Sequence, residues 1–262
     1  MKLKIFQIDA FADTVFSGNP AAVCIMDTWL DASLMQQIAA ENNLAETAFV
    51  VKDNGQYHIR WFTPEIEVDL CGHATLASAF VLFKHYILDS ETIEFYSHRS
   101  GPLTVEKGKD GNYIMDFPVD NLEKVEAIPA INKAIGIEPK ETYKGKTDYL
   151  LIYNSQKTIE EINPNFFLLD QVDARGVIVS AKGEDVDFVS RFFAPQCGIS
   201  EDPVTGSAHT TLTPYWSQVL GKKVLYAKQL SKRGGQLICE DHGERIIISG
   251  KAVAYLEGEI EL

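Results

Sequence analysis

The sequence predicts an α+β protein built from two similar halves. Short segments rich in β-branched and aromatic residues dominate the chain, and this composition is typical of strands. Two apolar segments, each opened by a glycine, have helical spacing. The two helix starts also follow similar motifs about half a chain length apart, which indicates an internal repeat. With 262 residues, the chain has room for two domains of ordinary size.

Four segments in the first sixty residues have the composition of strands, separated by Gly, Asn or Asp. A helix is expected between the second and the third, over DASLMQQIAAENNL, with Asp31 as its N-cap. Leu34, Met35 and Ile38 would form the apolar stripe of this helix. The four predicted strands are KLKIFQIDAF, AAVCIM, ETAFVV and YHIRWF.

The first glycine-led helix is predicted over GHATLASAFVLFKHYIL, which starts at Gly72. Strands follow near residues 92–97 and 112–117. The next stretch, NLEKVEAIPAINKAIG, is interpreted as a link to a second domain, with the boundary near residue 118. Helical spacing predicts one buried face for the helix, made of Leu76, Phe80, Phe83 and Ile87.

The second half repeats this order of strands followed by a helix. Strands are predicted near residues 148–153, 176–180 and 187–193, and again over ERIIIS and KAVAYLEGEIEL. Pro214 should kink the second helix, TGSAHTTLTPYWSQVL, because proline removes one intrahelical hydrogen bond. The residues of this helix expected to face inward are Leu212, Tyr215, Trp216 and Val219.

Matching motifs define the two halves. RWFTP at residues 60–64 matches RFFAP 131 positions later, and Gly72 matches Gly206, 134 positions later. Domains are therefore predicted at residues 1–118 and 119–249. If the halves face each other, both helix N-termini can point into the cleft between them. Their unpaired N–H groups and partial positive charge would bind a carboxylate or a phosphate there.

Composition and charge restrict the partners. The formal net charge is −13 and no dense cluster of Lys and Arg is present, so nucleic acid and anionic membranes are poor partners. The four cysteines are scattered without a CxxC pair, which fits a reducing compartment and argues against a structural zinc site; no metal is expected. The N-terminus lacks the features of a signal peptide and no apolar run approaches 18 residues, so a cytoplasmic localisation is expected.

Polar residues at the two helix starts are candidates for chemistry. His73 from the first copy, with Asp202 and Ser207 from the second, would converge on the predicted anion site. A structural role stays open for each, because Asp and Ser commonly cap helices and a single His is often structural. Glu46 is the candidate base, since a carboxylate among apolar neighbours at a helix-to-strand junction can be desolvated. The alternative for Glu46 is a solvated turn residue.

Four segments together resemble the PhzF family, the phenazine-biosynthesis-like isomerases. The resemblance spans nearly the whole chain and implies a diaminopimelate-epimerase-like fold, in which two pseudo-equivalent domains each wrap a mixed, mostly antiparallel sheet around a central helix. It also implies a homodimer, and it suggests that residues 250–262 complete the sheet of the first domain. The segments are SGNPAAV (17–23), NLAETAFV (43–50), RWFTPEIEVDLCGHATLASA (60–79) and RFFAPQCGISEDPVTGSAHTTLTPYW (191–216).

The same resemblance implies roles for individual residues. Glu46 matches the family's acid/base glutamate and His73 its active-site histidine, while Asp202 and Ser207 match the residues that hold and polarise the substrate. The implied reaction is a cofactor-independent isomerisation of a small conjugated carboxylic acid, such as 2,3-dihydro-3-hydroxyanthranilate, by proton transfer between carbons. Positions expected to line the substrate site are Gly18, Asn19, Pro20, Gly72, Ala74, Thr205, Gly206 and Ala208.

Three other functions fit parts of the sequence. An amino-acid racemase or epimerase of the same fold uses two opposed thiols; Cys71 could be the first, but no cysteine stands directly before the second helix start. A serine hydrolase is disfavoured because Ser207 lacks the second glycine of a GxSxG motif. A non-catalytic binder of an acidic metabolite remains open, since fold and motif define a site better than they define turnover.

Overall fold

Strands outnumber α-helices three to one in the structure, a computed structural model that describes residues 1–262. None of the helices is both long and apolar enough to cross a membrane. In chain order the elements are β1 (Lys2–Ala10), β2 (Asn19–Met26), α1 (Ala32–Asn42), β3 (Glu46–Asp53), β4 (Gln56–Phe62), β5 (Glu67–Val68), α2 (Gly72–His85), β6 (Thr92–Ser97), β7 (Gly101–Lys107), β8 (Tyr113–Pro118), β9 (Glu123–Val125), α3 (Pro129–Ile135), β10 (Glu141–Lys144), β11 (Asp148–Ile152), α4 (Gln156–Glu161), α5 (Phe166–Leu169), β12 (Gly176–Lys182), β13 (Phe188–Ala194), β14 (Ile199–Asp202), α6 (Gly206–Leu220), β15 (Val224–Gln229), β16 (Gly235–Asp241), β17 (Arg245–Gly250) and β18 (Ala252–Glu261).

The chain divides into two compact units. The first unit comprises Met1–Asp116 and Ser249–Leu262, and the second comprises Phe117–Ile248. In the first unit the strands pair in the order β18, β1, β2, β3, β4, β6, β7 and β8, with β5 added to β4. Only β2 with β3 and β4 with β6 are parallel, so the sheet is mixed and mostly antiparallel.

Helix α2 is the central helix of the first unit. It contacts β1, β2, β3, β7 and β18, and ten of its residues are buried. The predicted core helix is confirmed, and Leu76 and Phe83 of its predicted face are buried, but Phe80 is only partly buried and Ile87 lies beyond the helix end at His85. Since the sheet surrounds the helix, small residues such as Ala74 and Ala77 are as fully buried as Leu76.

The second unit repeats this arrangement. Its strands pair in the order β9, β10, β11, β12, β13, β15 and β16, with β14 added to β13. The central helix α6 contacts β11, β15 and β16. As predicted, Leu212 and Trp216 are buried, but Tyr215 is only partly buried and Val219, in the last turn, is 55% exposed.

The same strand pattern occurs in both units. From β2 through β3, β4 and β6 to β7, neighbours pair parallel, antiparallel, parallel and antiparallel, and the series β11, β12, β13, β15 and β16 does the same. In each series the central helix follows the short strand, β5 or β14. The repeat seen in the sequence is thus a repeat of sheet topology.

Two local predictions need correction. The stretch interpreted as a link contains β9 and α3, which starts with Pro129 and places Ile131 and Ile135 in the core of the second unit. Asp31 does occupy the N-cap position of α1, but its side chain makes no capping hydrogen bond.

Helix α6 continues through Pro214. Because proline has no N–H, the carbonyl of Thr210 loses its helical partner. The backbone N–H of Asp120 approaches this carbonyl at 3.4 Å, and the Thr211 hydroxyl donates to the Asp120 carboxylate at 2.8 Å. The segment after β8 therefore supplies a hydrogen-bond donor to the Thr210 carbonyl, which Pro214 leaves without its helical partner.

Gly18, one of the predicted site positions, has a left-handed backbone with φ of 67°. A Cβ atom there would overlap the carbonyl oxygen of Ala10 and lie 2.8 Å from the Cβ of Ala12. Gly221, which caps α6, has a similar φ of 63° but open space around it. A comparison of substitutions at the two glycines therefore distinguishes the cost of a left-handed backbone from the cost of a steric clash.

We expect Gly221→Ala to lower the free energy of unfolding by about 1–2 kcal/mol, the ordinary cost of left-handed backbone. Gly18→Ala should cost at least twice as much because strand β1 would have to move. Urea unfolding of both variants followed by circular dichroism measures the difference. Equal losses would contradict the close approach of Gly18 to β1.

Candidate active site

Three polar side chains of the first unit meet at the start of α2. His73 is the second residue of this helix, Glu46 is the first residue of β3, and Asn19 is the first residue of β2. Because β2 and β3 are parallel neighbours, with Ala21 opposite Glu46, both strands begin at the same edge of the sheet. The topology therefore brings together residues that are 27 positions or more apart in sequence.

Both ring nitrogens of His73 have close neighbours. Nε2 lies 3.2 Å from Oε2 of Glu46, whose side chain is 13% exposed. Nδ1 lies 3.2 Å from Nδ2 of Asn19 and 3.5 Å from Sγ of Cys71. Since an amide nitrogen only donates, Nδ1 of His73 accepts, and the ring proton belongs on Nε2, toward the Glu46 carboxylate.

Burial determines the charge of this imidazole. It lowers the pKa of His73 to about 3, so the ring is neutral near neutral pH. A neutral ring with its proton on Nε2 places an N–H 3.2 Å from Glu46 Oε2, a close approach rather than a well-formed hydrogen bond. Glu46 thus lies beside a neutral imidazole, at the edge of a buried group.

The remaining predicted site positions of the first unit lie at the start of β2 and in the first turn of α2. Gly18, Asn19 and Pro20 are buried where β2 begins, and Ala74 is buried in the first turn of α2. Gly72 is the first residue of that helix, and the N-cap residue Cys71 makes no side-chain capping bond. Asp69 does not belong to this group, because its side chain is 79% exposed and pairs with Arg99.

In the second unit, a hydrogen-bonded group surrounds the start of α6. The Thr205 hydroxyl donates to the Asp202 carboxylate. The buried Gln229 side chain donates to the carbonyl of Asp202 at 2.8 Å and accepts the Thr205 N–H at 2.9 Å. Gly206, Ser207 and Ala208 form the first turn of α6, whose N-cap side chain makes no capping bond. Asp202, Thr205 and Ser207 thus share one helix start.

His209 has a structural environment. Its Nδ1 lies 2.8 Å from the carbonyl of Thr205, its ring packs against Phe188, and it is fully buried. Burial lowers the pKa of His209 to about 4, although the hydrogen bond to Thr205 acts in the opposite direction. This histidine joins the helix start to the core and presents no group to a ligand.

Sequence reasoning missed Arg175 and Asp148. Arg175 Nη2 lies 3.1 Å from the Ser207 hydroxyl, and its guanidinium also binds Asp148. A signal for this exists in the repeat: strand registers match Thr47, opposite Phe62, with Val177, opposite Phe193. Arg175 and Gly176 therefore correspond to Ala45 and Glu46.

Glu46, Cys71 and His73 are also the residues that could hold a metal ion, with one ligand atom from each lying within 4.8 Å of the others. The carboxylate and the thiol approach different nitrogens of the imidazole. That arrangement suits hydrogen bonding through the ring, with a proton donor or acceptor on either side.

Comparisons with known proteins place these motifs in a family. The PhzC-PhzF family, described as phenazine biosynthesis-like protein, matches residues 8–258. The chain is 50% identical to an uncharacterized isomerase of Pseudomonas aeruginosa, over the full length of both chains. It also matches the crystal structure of a PhzF family protein from Enterococcus faecalis with a TM-score of 0.96 and 48% identity, over the full length of both.

A more distant likeness concerns the fold alone. A hydroxyproline epimerase from Agrobacterium vitis has a TM-score of 0.62 at 10% identity, with 99% of this chain and 91% of that chain covered. Together with the PhzF structure, it confirms the predicted α+β, epimerase-like fold.

The low pKa of His73 can be measured directly. At about pH 5, well below the ordinary histidine pKa of about 6.5, we expect the ¹⁵N chemical shifts of His73 and His209 to be those of neutral rings. The His209→Gln variant assigns the two signals. Half-protonation of His73 near pH 6.5 would contradict its desolvated environment.

Proposed function

The chain belongs to the PhzC-PhzF family of phenazine biosynthesis-like isomerases, and on that premise we propose that it transfers a proton between two carbons of a small conjugated carboxylic acid, with Glu46 as the acid/base. The observation that carries this proposal is the 3.2 Å approach of the neutral His73 ring to the Glu46 carboxylate. A base that must take a proton from carbon needs to be ionised, accessible and held in one orientation. The close approach of His73 supports a fixed orientation of the Glu46 side chain, and the partial exposure of Glu46 supports its access to a substrate.

In the proposed reaction, Glu46 first takes a proton from a substrate C–H group. The C–H bond breaks, an O–H bond forms on Glu46, and the electron pair moves through the double bonds toward the substrate carboxylate. In the second step, the delocalised electron pair returns to a different carbon and forms a C–H bond there with the same proton, while the O–H bond of Glu46 breaks and its electrons stay on the carboxylate. Electrons and atoms balance without an oxidant, a reductant or a cofactor.

The groups at the start of α6 are suited to bind a carboxylate on which negative charge accumulates. The open first turn of α6 and the Ser207 hydroxyl supply donors, which stabilise developing charge more strongly where water is excluded. Asp202, held by Thr205 and Gln229, would orient the substrate or relay a proton. The proposed substrate is of the 2,3-dihydro-3-hydroxyanthranilate type.

A thiol-dependent epimerase is the second candidate, because the Cys71 thiol lies 3.5 Å from His73 Nδ1. Thiol epimerases need a second thiol on the opposite face of the substrate. The repeat places Thr205 at the position that matches Cys71, so the second unit supplies a hydroxyl there.

The Glu46→Gln variant tests the proposed reaction. With trans-2,3-dihydro-3-hydroxyanthranilate in D₂O, proton NMR should show isomerisation or deuterium uptake by wild type and a loss of at least about 100-fold in the variant. Glu41→Gln, the same change at an exposed position of α1, should retain full activity. Tight binding of this acid with neither isomerisation nor deuterium uptake would instead favour a non-catalytic binder.

Cys71→Ser distinguishes the two enzyme candidates. We expect the variant to keep its isomerase rate within about tenfold of wild type, because the thiol is only a neighbour of His73 Nδ1 in the proposed mechanism. Complete loss of turnover, with the fold retained by circular dichroism, would support thiol chemistry.

A further inference from the structure

Arg175 is a cation of the second unit that the mechanism above does not use. It lies one residue before β12, and its backbone N–H donates to the carbonyl of Thr147 at 3.0 Å. Its guanidinium lies over the ring of Phe192, with 5.4 Å between the guanidinium carbon and the ring centroid. Backbone and side chain are therefore both held at the sheet edge where β12 begins.

Asp148 fixes the direction of this guanidinium. It is the first residue of β11, lies opposite Gly176 across the parallel strand pair, and is almost completely buried. Arg175 Nε donates to Asp148 Oδ1 at 2.9 Å, and Nη2 donates to Oδ2. Two parallel hydrogen bonds to one carboxylate leave a planar guanidinium little freedom to rotate.

Ser207 receives the next hydrogen bond. Nη2 of Arg175 carries two hydrogens, and it lies 3.1 Å from the Ser207 Oγ. A hydroxyl that accepts from a guanidinium keeps its own hydrogen for another acceptor. The neighbouring positive charge also polarises that O–H bond, so Ser207 is prepared to act as a donor.

The cluster formed by Arg175, Asp148 and Ser207 is partly exposed to solvent. The Arg175 side chain is 37% exposed although its partner Asp148 is 2% exposed. The hydrogen bonds of the guanidinium to Asp148 and Ser207 are made by Nε and Nη2. The cluster thus leaves the Ser207 O–H as a donor, with a partly exposed guanidinium behind it.

We propose that Arg175 is a positioning residue that makes Ser207 a dedicated hydrogen-bond donor and thereby selects substrates that carry a carboxylate. This inference rests on the proposed function, since it names the group of the second unit that recognises the acid. The preference follows from hydrogen bonding: ionised carboxylate oxygens are stronger acceptors than an amide carbonyl and offer no competing N–H.

Binding of a stable analogue tests this inference without turnover. The probes are 3-hydroxyanthranilate, an aromatic analogue of the proposed substrate, and its carboxamide, measured by isothermal titration calorimetry. Wild type should bind the acid at least about tenfold more tightly than the amide. Arg175→Met and Ser207→Ala should each lose about tenfold in affinity for the acid and little for the amide.

A double-mutant cycle separates positioning from general structural damage. If Arg175 acts through Ser207, the double variant should bind the acid no more weakly than the weaker single variant. Arg175→Lys keeps the charge beside Asp148 but cannot make the forked contact, so it should resemble Arg175→Met and serves if the latter does not fold. Lys222→Met, which removes a cation paired with Asp187 beyond the other end of α6, should bind like wild type.

The inference would be overturned if the losses in the double variant were additive or if Arg175→Lys kept full affinity for the acid. It would also be overturned if wild type bound neither probe or preferred the amide. Failure of the proposed function gives a different result: Glu46→Gln would then keep the isomerisation or deuterium uptake of wild type, whatever the calorimetry shows.

Discussion

A forked arginine–glutamate pair fixes the start of each central helix. In the first unit, Arg60 of β4 binds both oxygens of Glu67 in β5, at 2.7 and 2.8 Å. In the second unit, Arg191 of β13 binds Glu201 of β14 in the same way, at 2.7 and 2.9 Å. Each glutamate precedes the first residue of its helix by five positions. The pair therefore joins a long strand of the sheet to the segment from which the helix begins.

These pairs are largely removed from water, which makes their geometry more important than their net energy. Side-chain exposure lies between 11% and 20% for the four residues. Desolvation offsets much of the attraction in such a pair, but removal of one partner leaves a buried charge at a cost of about 3–5 kcal/mol. The hydrogen bond from Arg60 lowers the pKa of Glu67, which keeps that carboxylate ionised. Both helix starts are thus held by contacts that are costly to break.

On this shared frame the two units carry different chemistry. His73 and Ser207 occupy matching positions at the helix starts, but His73 faces the Glu46 carboxylate whereas Ser207 faces the Arg175 guanidinium. The first unit thus places a carboxyl group beside a neutral imidazole, and the second places a hydroxyl beside a guanidinium. In the proposed reaction, this divergence of a repeat would supply proton transfer and anion binding from one fold, even in a chain of net charge −13. Local donors act at contact distance, whereas distant surface charges are screened over about 10 Å.

The sequence could predict what local patterns encode. Strand composition and the glycine-led helix starts predicted the α+β class and the repeat. Glu46 and Ser207 were candidates from their positions in the sequence, and family resemblance added the roles expected of them. The sequence did not predict that α2 is buried on most of its sides. A helix enclosed by its sheet has no polar face, so the periodicity of its apolar residues carries little information. Arg175 escaped for a different reason: its partner Asp148 is 27 positions away and is reached only through parallel pairing of β11 with β12. Side-chain partners across a parallel pair have no fixed sequence spacing. Only the strand register of the first half, transferred to the second half, could have predicted that Arg175 lies beside Ser207, the residue that matches His73.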